Sequence, residues 1–238
     1  MNEDQNNTTP KMSVGQRLDN FWYHYKWHTI VAIFVIVAIL ICSFQMCSKE
    51  SFDSYVLYAG GYGISRTVGD DVAEYAVFLS SLGKVTPDRN GDDEIITSFI
   101  DLYIPTSDEI AESGNDLYTL MTDNMSRLQY ELISGGEYYL CFLSEYNYEK
   151  YKLWDGITLF CPIEVYAPEG AAFEYYDNSA IYLKSTPFGS VDGFKNLPED
   201  TLITIRTPSA VASFFDRQDN ERRFAEAEEL LRNILSYE

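Results

Sequence analysis

The sequence predicts a single transmembrane helix followed by an acidic α/β domain, and three observations lead to this fold class. First, no charged residue occurs between Trp27 and Ser48. Second, the three basic and three acidic residues before this segment cancel, so the formal charge of −20 falls entirely on the residues after it. Third, strand-like and helix-like segments alternate through those later residues, a pattern that favours a mostly parallel sheet flanked by helices.

The uncharged segment has the length and the flanks of a membrane span. As a helix it would rise about 33 Å, enough to cross the hydrocarbon core of a bilayer. Aromatic residues crowd positions 21–28, and three basic residues precede the span whereas only Lys49 follows closely. This bias predicts a cytoplasmic amino terminus. We therefore expect a single-pass protein of the cell membrane, with a cytoplasmic juxtamembrane segment at 1–27, a transmembrane helix at 28–46, a linker at 47–53 and an extracytoplasmic domain at 54–238.

A cleaved signal peptide is the alternative interpretation of the same segment. Its positively charged region would have to extend to His28, which is long for a signal peptide, and residues 43–48 contain no clear cleavage site of two small residues one apart. These features favour an uncleaved helix that anchors the protein in the lipid bilayer, which is therefore a predicted partner.

The first half of the C-terminal domain (residues 54–238) shows clear element boundaries. Strand-forming residues at 54–59 end in a glycine-rich turn at 60–63, and a helical pattern at 68–82 stops at Gly83. The segments predicted next are a turn at 86–93, a strand-rich run at 94–104, a loop rich in Ser, Asp, Glu and Gly, a helix at 116–134 and an apolar strand at 137–143.

The second half of the domain is less regular. Thr207 followed by Pro208 has the composition of a helix start, with an N-cap residue and a proline in the first turn. The remaining predicted segments are a short helix at 146–154, a strand at 157–166, a loosely patterned stretch at 167–197 with one strand at 180–184, a strand at 201–206 and an amphipathic helix at 221–235.

The order of these elements resembles the first lobe of type II periplasmic solute-binding proteins. The segment Leu128-Gln-Tyr-Glu-Leu-Ile-Ser-Gly-Gly-Glu-Tyr-Tyr-Leu140 is similar to the place in those proteins where a helix ends in a glycine turn and leads into an apolar strand. The residues around 21–28 further resemble bacterial single-pass membrane proteins that have no assigned activity. The chain departs from the solute-binding pattern in two ways, since it has little room for a second lobe and its anchor is a helix and not a lipidated cysteine.

The residue types of the C-terminal domain exclude several kinds of chemistry. Both histidines, His24 and His28, precede the apolar run, so the domain can form neither a Ser-His-Asp or Cys-His catalytic set nor a histidine-ligated metal site. Its negative charge disfavours nucleic acid as a partner. Cys141 and Cys161 lie in apolar runs typical of buried free thiols, although a disulfide is open to them outside the cytoplasm. Hydrolysis by paired carboxylates is a remaining possibility.

One loop carries the spacing of a metal-binding motif. Asp88, Asn90 and Asp92 place oxygen-bearing side chains at alternate positions, as in the first half of an EF-hand calcium loop. Asp93 stands where that loop has glycine, and Phe99 stands where it has its bidentate glutamate. The spacing therefore leaves two interpretations open, a calcium site and a solvated turn, and no other cofactor is expected.

Ligand binding is predicted at the loops that follow the parallel strands, because ligands of open α/β sheets bind at the carboxyl ends of strands. The chain is expected to be a non-enzymatic recognition domain that binds a small ligand or a membrane or extracellular protein, within or beside a membrane complex. The alternative is a cell-envelope hydrolase that uses two carboxylates. The residues predicted to contact a ligand are Gly60, Gly61, Tyr62, Ser144, Tyr146 and Tyr148.

Overall fold

The computed structural model describes residues 13–47, 52–64, 72–105, 107–113, 115–210, 214 and 216–237. It divides into two compact units, residues 1–50 and residues 51–238. Apart from Ser13, the described residues of the first unit form one helix, α1 (Val14–Cys47). Within α1, the stretch Phe21–Ser43 is long and apolar enough to cross a membrane, and none of it is buried. The prediction of one apolar helix near the amino terminus is therefore confirmed, and the helix extends beyond the predicted span at both ends.

The second unit is an α/β domain built on a mixed six-stranded sheet. Its strand order is β2-β1-β3-β8-β7-β6, and β4 and β5 form a separate hairpin. Strand β1 pairs in parallel with β2 and β3, whereas β8, β7 and β6 continue the sheet with antiparallel pairing. The strands are β1 (Ser54–Gly60), β2 (Thr97–Tyr103), β3 (Leu140–Ser144), β4 (Leu153–Trp154), β5 (Ile157–Thr158), β6 (Tyr175–Asp177), β7 (Ala180–Tyr182) and β8 (Thr201–Ile205).

Helices cover both faces of this sheet. The helices with described bounds are α2 (Val72–Gly83), α3 (Ser107–Ser113), α4 (Asn115–Ile133), α5 (Glu145–Tyr151) and α6 (Arg217–Leu235), and 3₁₀ turns lie at Glu164–Tyr166, Leu183–Ser185 and Pro187–Ser190. Val56 and Tyr58 of β1 point into a core shared with α2 and α6, and Leu57 and Ala59 point into a second core shared with α4 and α5. Both faces of β1 are thus buried, which explains its continuous apolar sequence.

The structure corrects several predicted elements. The predicted loop before α4 contains helix α3, whose Glu109 lies in a first turn that favours acidic residues. The predicted strand at 157–166 is reduced to β5, an isolated antiparallel bridge between Phe160 and Arg206, and a 3₁₀ turn. Pro162, which follows the bridge, has no amide hydrogen to continue the pairing. Strand β6 was not predicted. Residues 68–71 of the predicted first helix lie outside the described residues, as do residues 211–213 of the helix predicted to begin at Thr207.

Candidate ligand-binding site

A cavity of about 750 Å³ opens at the carboxyl ends of β1, β2 and β3. We call it the carboxyl-edge cavity. One wall comes from the end of β2 and from α3 and α4, the opposite wall comes from α5, and residues that precede β8 complete it. Its lining residues are Gly61, Ile104, Pro105, Glu109, Ile110, Met121, Thr122, Met125, Ser126, Gln129, Ser144, Tyr146, Lys150, Tyr151, Pro198 and Asp200.

The topology of the sheet explains why a cavity forms at this place. Strand β1 lies between β2 and β3, so the connection from β1 to β2 and the connection from β2 to β3 run in opposite directions along the sheet. Their helices, α2 and α4, consequently pack on opposite faces. Helix α2, which follows β1, and helix α5, which begins directly after β3, also pack on opposite faces. The cavity lies at this reversal, which is the usual position of ligands in open α/β sheets.

The structure brings three of the six predicted ligand-contacting residues together. Gly61, Ser144 and Tyr146 line the carboxyl-edge cavity, and Gly60 is the last residue of β1 directly beside it. The other two tyrosines are engaged elsewhere. The Tyr62 hydroxyl donates to Glu74 Oε1 at 2.5 Å, and the Tyr148 hydroxyl donates to Asp177 Oδ1 at 2.7 Å beside a separate cavity.

A buried amide ties the two strands behind the cavity. Asn147 is fully buried, and its Nδ2 donates to the Ala59 carbonyl at 3.2 Å and to Ser144 Oγ at 3.0 Å. Ser144 in turn caps α5, because its Oγ accepts a hydrogen bond from the Asn147 amide. The Asn147 side chain therefore adds a link between the carboxyl ends of β1 and β3, whose backbones pair as far as Ala59 and Leu143.

Three charged side chains line the cavity, and each has a different environment. Lys150 Nζ lies 6.0 Å from the ring centre of Tyr146 and 5.6 Å from that of Tyr151. Glu109 Oε1 accepts a hydrogen bond from the Tyr103 hydroxyl at 2.9 Å. Asp200 is half-buried, and burial together with the charge of Glu145 raises the pKa of its carboxyl. The wall thus combines one ammonium group with two carboxylates on an otherwise neutral surface.

The cavity residues on α4 and the three charges were not predicted from the sequence. A signal for the helical wall was present, since Met121, Met125 and Gln129 recur every four residues and form one stripe of α4. No comparable signal marked Asp200, which reaches the cavity from a loop distant in sequence.

The side chains of the loop at residues 88–94, which has the spacing of a calcium site, form hydrogen bonds within the loop itself. Asp88 Oδ1 accepts from the Gly91 amide at 2.7 Å and its Oδ2 accepts from the Asp93 amide at 3.0 Å. Asn90 Oδ1 and Asp92 Oδ1 accept from backbone amides two residues further on, and Asn90 Nδ2 donates to Asp92 Oδ2 at 2.7 Å. The side-chain oxygens therefore already stabilise the turn, and no group of three acidic, histidine or cysteine residues suited to a metal occurs in the described part of the chain.

Replacing Asp88 by alanine is expected to lower the free energy of unfolding by about 1–2 kcal/mol, because two backbone amides lose their acceptor. The loss should be the same with and without millimolar calcium, as measured by urea unfolding of the full-length chain. A calcium-dependent difference between the two series would instead establish the metal site that the spacing of Asp88, Asn90 and Asp92 suggests.

Cys141 and Cys161 are both free thiols in the structure. Cys141 is fully buried, and burial raises its pKa to about 12. Cys161 is half-buried and its pKa is raised by the same cause. Neither thiol therefore has the lowered pKa of a nucleophilic cysteine.

The fold and the cavity together define an α/β domain with a ligand-sized crevice at the reversal point of its sheet. No protein-family model, curated protein or solved structure matches the chain, so the interpretation of this site depends on its own geometry.

Proposed function

We propose that this protein is a membrane-anchored, non-enzymatic binding domain that holds a small ligand in the carboxyl-edge cavity. The observation that supports the proposal is the cavity itself. Its volume of about 750 Å³ lies within the range of small-molecule sites, and a mostly uncharged lining with a few charged groups is the usual composition of such sites.

The proposed location follows from helix α1. Its apolar stretch Phe21–Ser43 would span the cell membrane once, and the excess of basic residues before this stretch favours a cytoplasmic amino terminus. The α/β domain would then face the outside of the cell, and the ligand would be captured there. The proposed partner is a membrane protein that responds to the loaded domain, and this protein would then be an accessory component of their membrane complex.

The similarity to one lobe of a type II periplasmic solute-binding protein is part of the same proposal. Parallel pairing of β1 with β2 and β3, helices on both faces, and a ligand-sized cavity at the carboxyl ends of these strands support it.

A capture experiment with a cavity-filling variant tests the binding function. Ser126 is exposed at the cavity wall, so Ser126→Phe should occupy part of the cavity without disturbing the core. Full-length protein in nanodiscs would be dialysed against a small-molecule extract of bacterial culture, and retained compounds would be identified by mass spectrometry. We expect a compound that the unmodified protein retains and that Ser126→Phe retains about tenfold less, equivalent to about 1.4 kcal/mol.

Thr119→Phe is the matched control for this experiment. Thr119 is exposed on the same helix and does not line the cavity, so this variant should retain the compound normally. Equal retention by both variants would place binding outside the cavity. No retention by any of the proteins would contradict the proposed function.

The alternative function, hydrolysis by paired carboxylates, is favoured by one observation. Glu109 and Asp200 line the same cavity, and the raised pKa of Asp200 is a property of general acids. The burial of the acidic side chains argues against a hydrolase. Among the described residues, Asp53 is the one buried carboxylate, and it lies at the opposite end of β1 from the cavity. Turnover of the retained compound that Asp200→Asn abolishes would establish the hydrolase in place of the binding domain.

A further inference from the structure

The walls of the carboxyl-edge cavity differ in polarity, and this difference indicates which ligand fits. The wall formed by the end of β2, α3 and α4 contributes four large apolar side chains to the cavity lining, those of Ile104, Ile110, Met121 and Met125. Methionine side chains are flexible and polarisable, and they adapt to hydrocarbon groups of different shapes. This wall therefore suits an apolar ligand body and has no preference for one rigid outline.

The opposite side of the cavity carries a carboxylate that lacks a cationic partner. Asp200 is half-buried, and among the described residues no Lys or Arg nitrogen forms an ion pair with it. Glu145 lies beside it and donates its backbone amide to the Asp200 carbonyl at 3.1 Å. The Glu145 side chain does not line the carboxyl-edge cavity, and its Oε1 accepts a hydrogen bond from the Tyr182 hydroxyl at 2.8 Å. The partly desolvated carboxylate of Asp200 does line the cavity, and it is stabilised when a cation enters there.

The aromatic side of the cavity already accommodates an ammonium group. Lys150 Nζ lies over the ring faces of Tyr146 and Tyr151, at centroid distances of 6.0 and 5.6 Å. Tyr146 is 66% exposed, so its ring face is open to a cation at the distance where cation–π attraction acts, whereas Tyr151 is almost fully buried at the cavity wall. Lys150 is exposed, so its flexible side chain can move away when a ligand approaches the Tyr146 ring.

The negative charge of the C-terminal domain also favours a cationic ligand. The residues that follow α1 carry the full formal charge of −20, which raises the local concentration of cations and disfavours anions. Within the cavity, Glu109 adds a second carboxylate to that of Asp200.

We propose that the carboxyl-edge cavity binds an organic cation with an apolar body, its amine or quaternary ammonium group beside Asp200 and its hydrocarbon part against Met121 and Met125. This inference rests on the proposed binding function and names the class of ligand.

Three probes of equal length separate charge from apolar contact. Hexylammonium, hexanol and hexanoate are linear molecules of six carbon atoms, and they differ in the charge of the head group. Trp154 stacks on the cavity residue Tyr151 at 6.0 Å, and a chain carrying Trp22→Phe and Trp27→Phe retains Trp154 as its single tryptophan reporter. Fluorescence titration of the full-length chain in nanodiscs, with empty nanodiscs as reference, should show affinity in the order hexylammonium, hexanol, hexanoate.

Two substitutions locate the charge effect in the cavity. Asp200→Asn should weaken hexylammonium binding about tenfold and leave hexanol binding unchanged, because the substitution removes a charge and keeps the shape. Asp192→Asn is the matched control, since Asp192 is exposed, pairs with Lys195 at 2.7 Å and does not line the cavity. Lys150→Gln should strengthen hexylammonium binding, because it removes a like charge.

The outcomes distinguish the ligand class from the binding function. Equal affinity for hexylammonium and hexanol, or tighter binding of hexanoate that Lys150→Gln abolishes, would overturn the cation proposal while the cavity remained a binding site. Equal weakening by Asp200→Asn and Asp192→Asn would overturn it too, since the effect would then come from net charge alone. If no probe changed Trp154 fluorescence and the cell extract yielded no retained compound, the proposed binding function would fail together with the cation proposal.

Discussion

Phe194→Ala is expected to lower the free energy of unfolding of the C-terminal domain by about 3–5 kcal/mol. Phe194 is fully buried between helix α2 and the sheet. Its ring lies 4.3 Å from that of Phe78, 4.6 Å from that of Phe188 and 5.4 Å from that of Phe142, measured between ring centres. Removing this ring leaves a cavity bounded by three aromatic side chains, which cannot collapse without moving both α2 and β3.

The measurement is urea unfolding of the full-length chain in nanodiscs, followed by near-ultraviolet circular dichroism. Phe194→Leu should cost less than Phe194→Ala, because leucine refills part of the space. Tyr130→Ala is the control, since Tyr130 is 62% exposed on α4 and its loss should change stability by at most about 0.5 kcal/mol. A loss below about 1 kcal/mol for Phe194→Ala would show that residues 187–197 do not belong to the core.

The elements that sequence patterns predicted well are those whose periodicity extends over several residues. Strand β1 is a continuous apolar run, and α4 has apolar residues at helical spacing that end at a pair of glycines. Such patterns reflect burial of one helix face or both strand faces, so they identify the element without knowledge of its neighbours. The α/β class and the helices on both faces of the sheet follow from these strong elements.

The segment between Leu183 and Leu197 could not be interpreted in this way. It consists mainly of 3₁₀ and other turns, in which no repeating spacing relates the buried residues. Leu183, Phe188, Phe194 and Leu197 are nevertheless almost fully buried and complete the core beneath α2. Their burial depends on contacts with helices far away in sequence, which no local pattern records.

Local geometry also explains which of the predicted site residues lie at the carboxyl-edge cavity. The rule that ligands bind at carboxyl ends of strands identified Gly61, Ser144 and Tyr146 beside the cavity. Tyr148 was grouped with Tyr146 because both follow β3, but residues two apart on a helix face opposite sides. Helix α5 therefore directs Tyr146 and Lys150, which are four apart, to the cavity and buries Tyr148 against Phe160, 5.0 Å away between ring centres.

A buried cation near the other end of the sheet had no sequence signature either. Arg206 is 1% exposed, its Nη2 donates to the Gly135 carbonyl at 2.7 Å, and its guanidinium lies 4.5 Å from the ring centre of Tyr139. Burial lowers the pKa of this guanidinium. Arg206 satisfies a carbonyl just beyond the end of α4, a role that depends on the antiparallel pairing of β8 with β3 and is invisible in the sequence alone.

Gly193→Ala is expected to lower the free energy of unfolding by about 3–4 kcal/mol, through two separate effects. Gly193 has a φ of 90°, a conformation that side chains with a Cβ rarely adopt. A Cβ at this position would also lie 2.7 Å from Phe78 Cα and 3.0 Å from Phe78 N, in the backbone of α2. Ser81 Oγ donates to the Asp192 carbonyl at 2.5 Å, so the segment is already held against α2 and cannot move away without losing this bond.

Gly170→Ala separates the two effects. Gly170 has a similar φ of 81°, and no atom lies within 4 Å of the place that a Cβ would occupy, so its replacement should cost only the conformational strain, about 1–2 kcal/mol. Urea unfolding of both variants gives the cost of the backbone contact as the difference between their losses. A larger loss for Gly193→Ala means that the backbone of this turn packs directly against the backbone of α2. This close approach requires glycine at 193, and it also brings Phe194 into the core. Equal losses would instead mean that this turn can move away from α2 at no cost. The loss of unfolding free energy expected for Phe194→Ala would then be smaller as well.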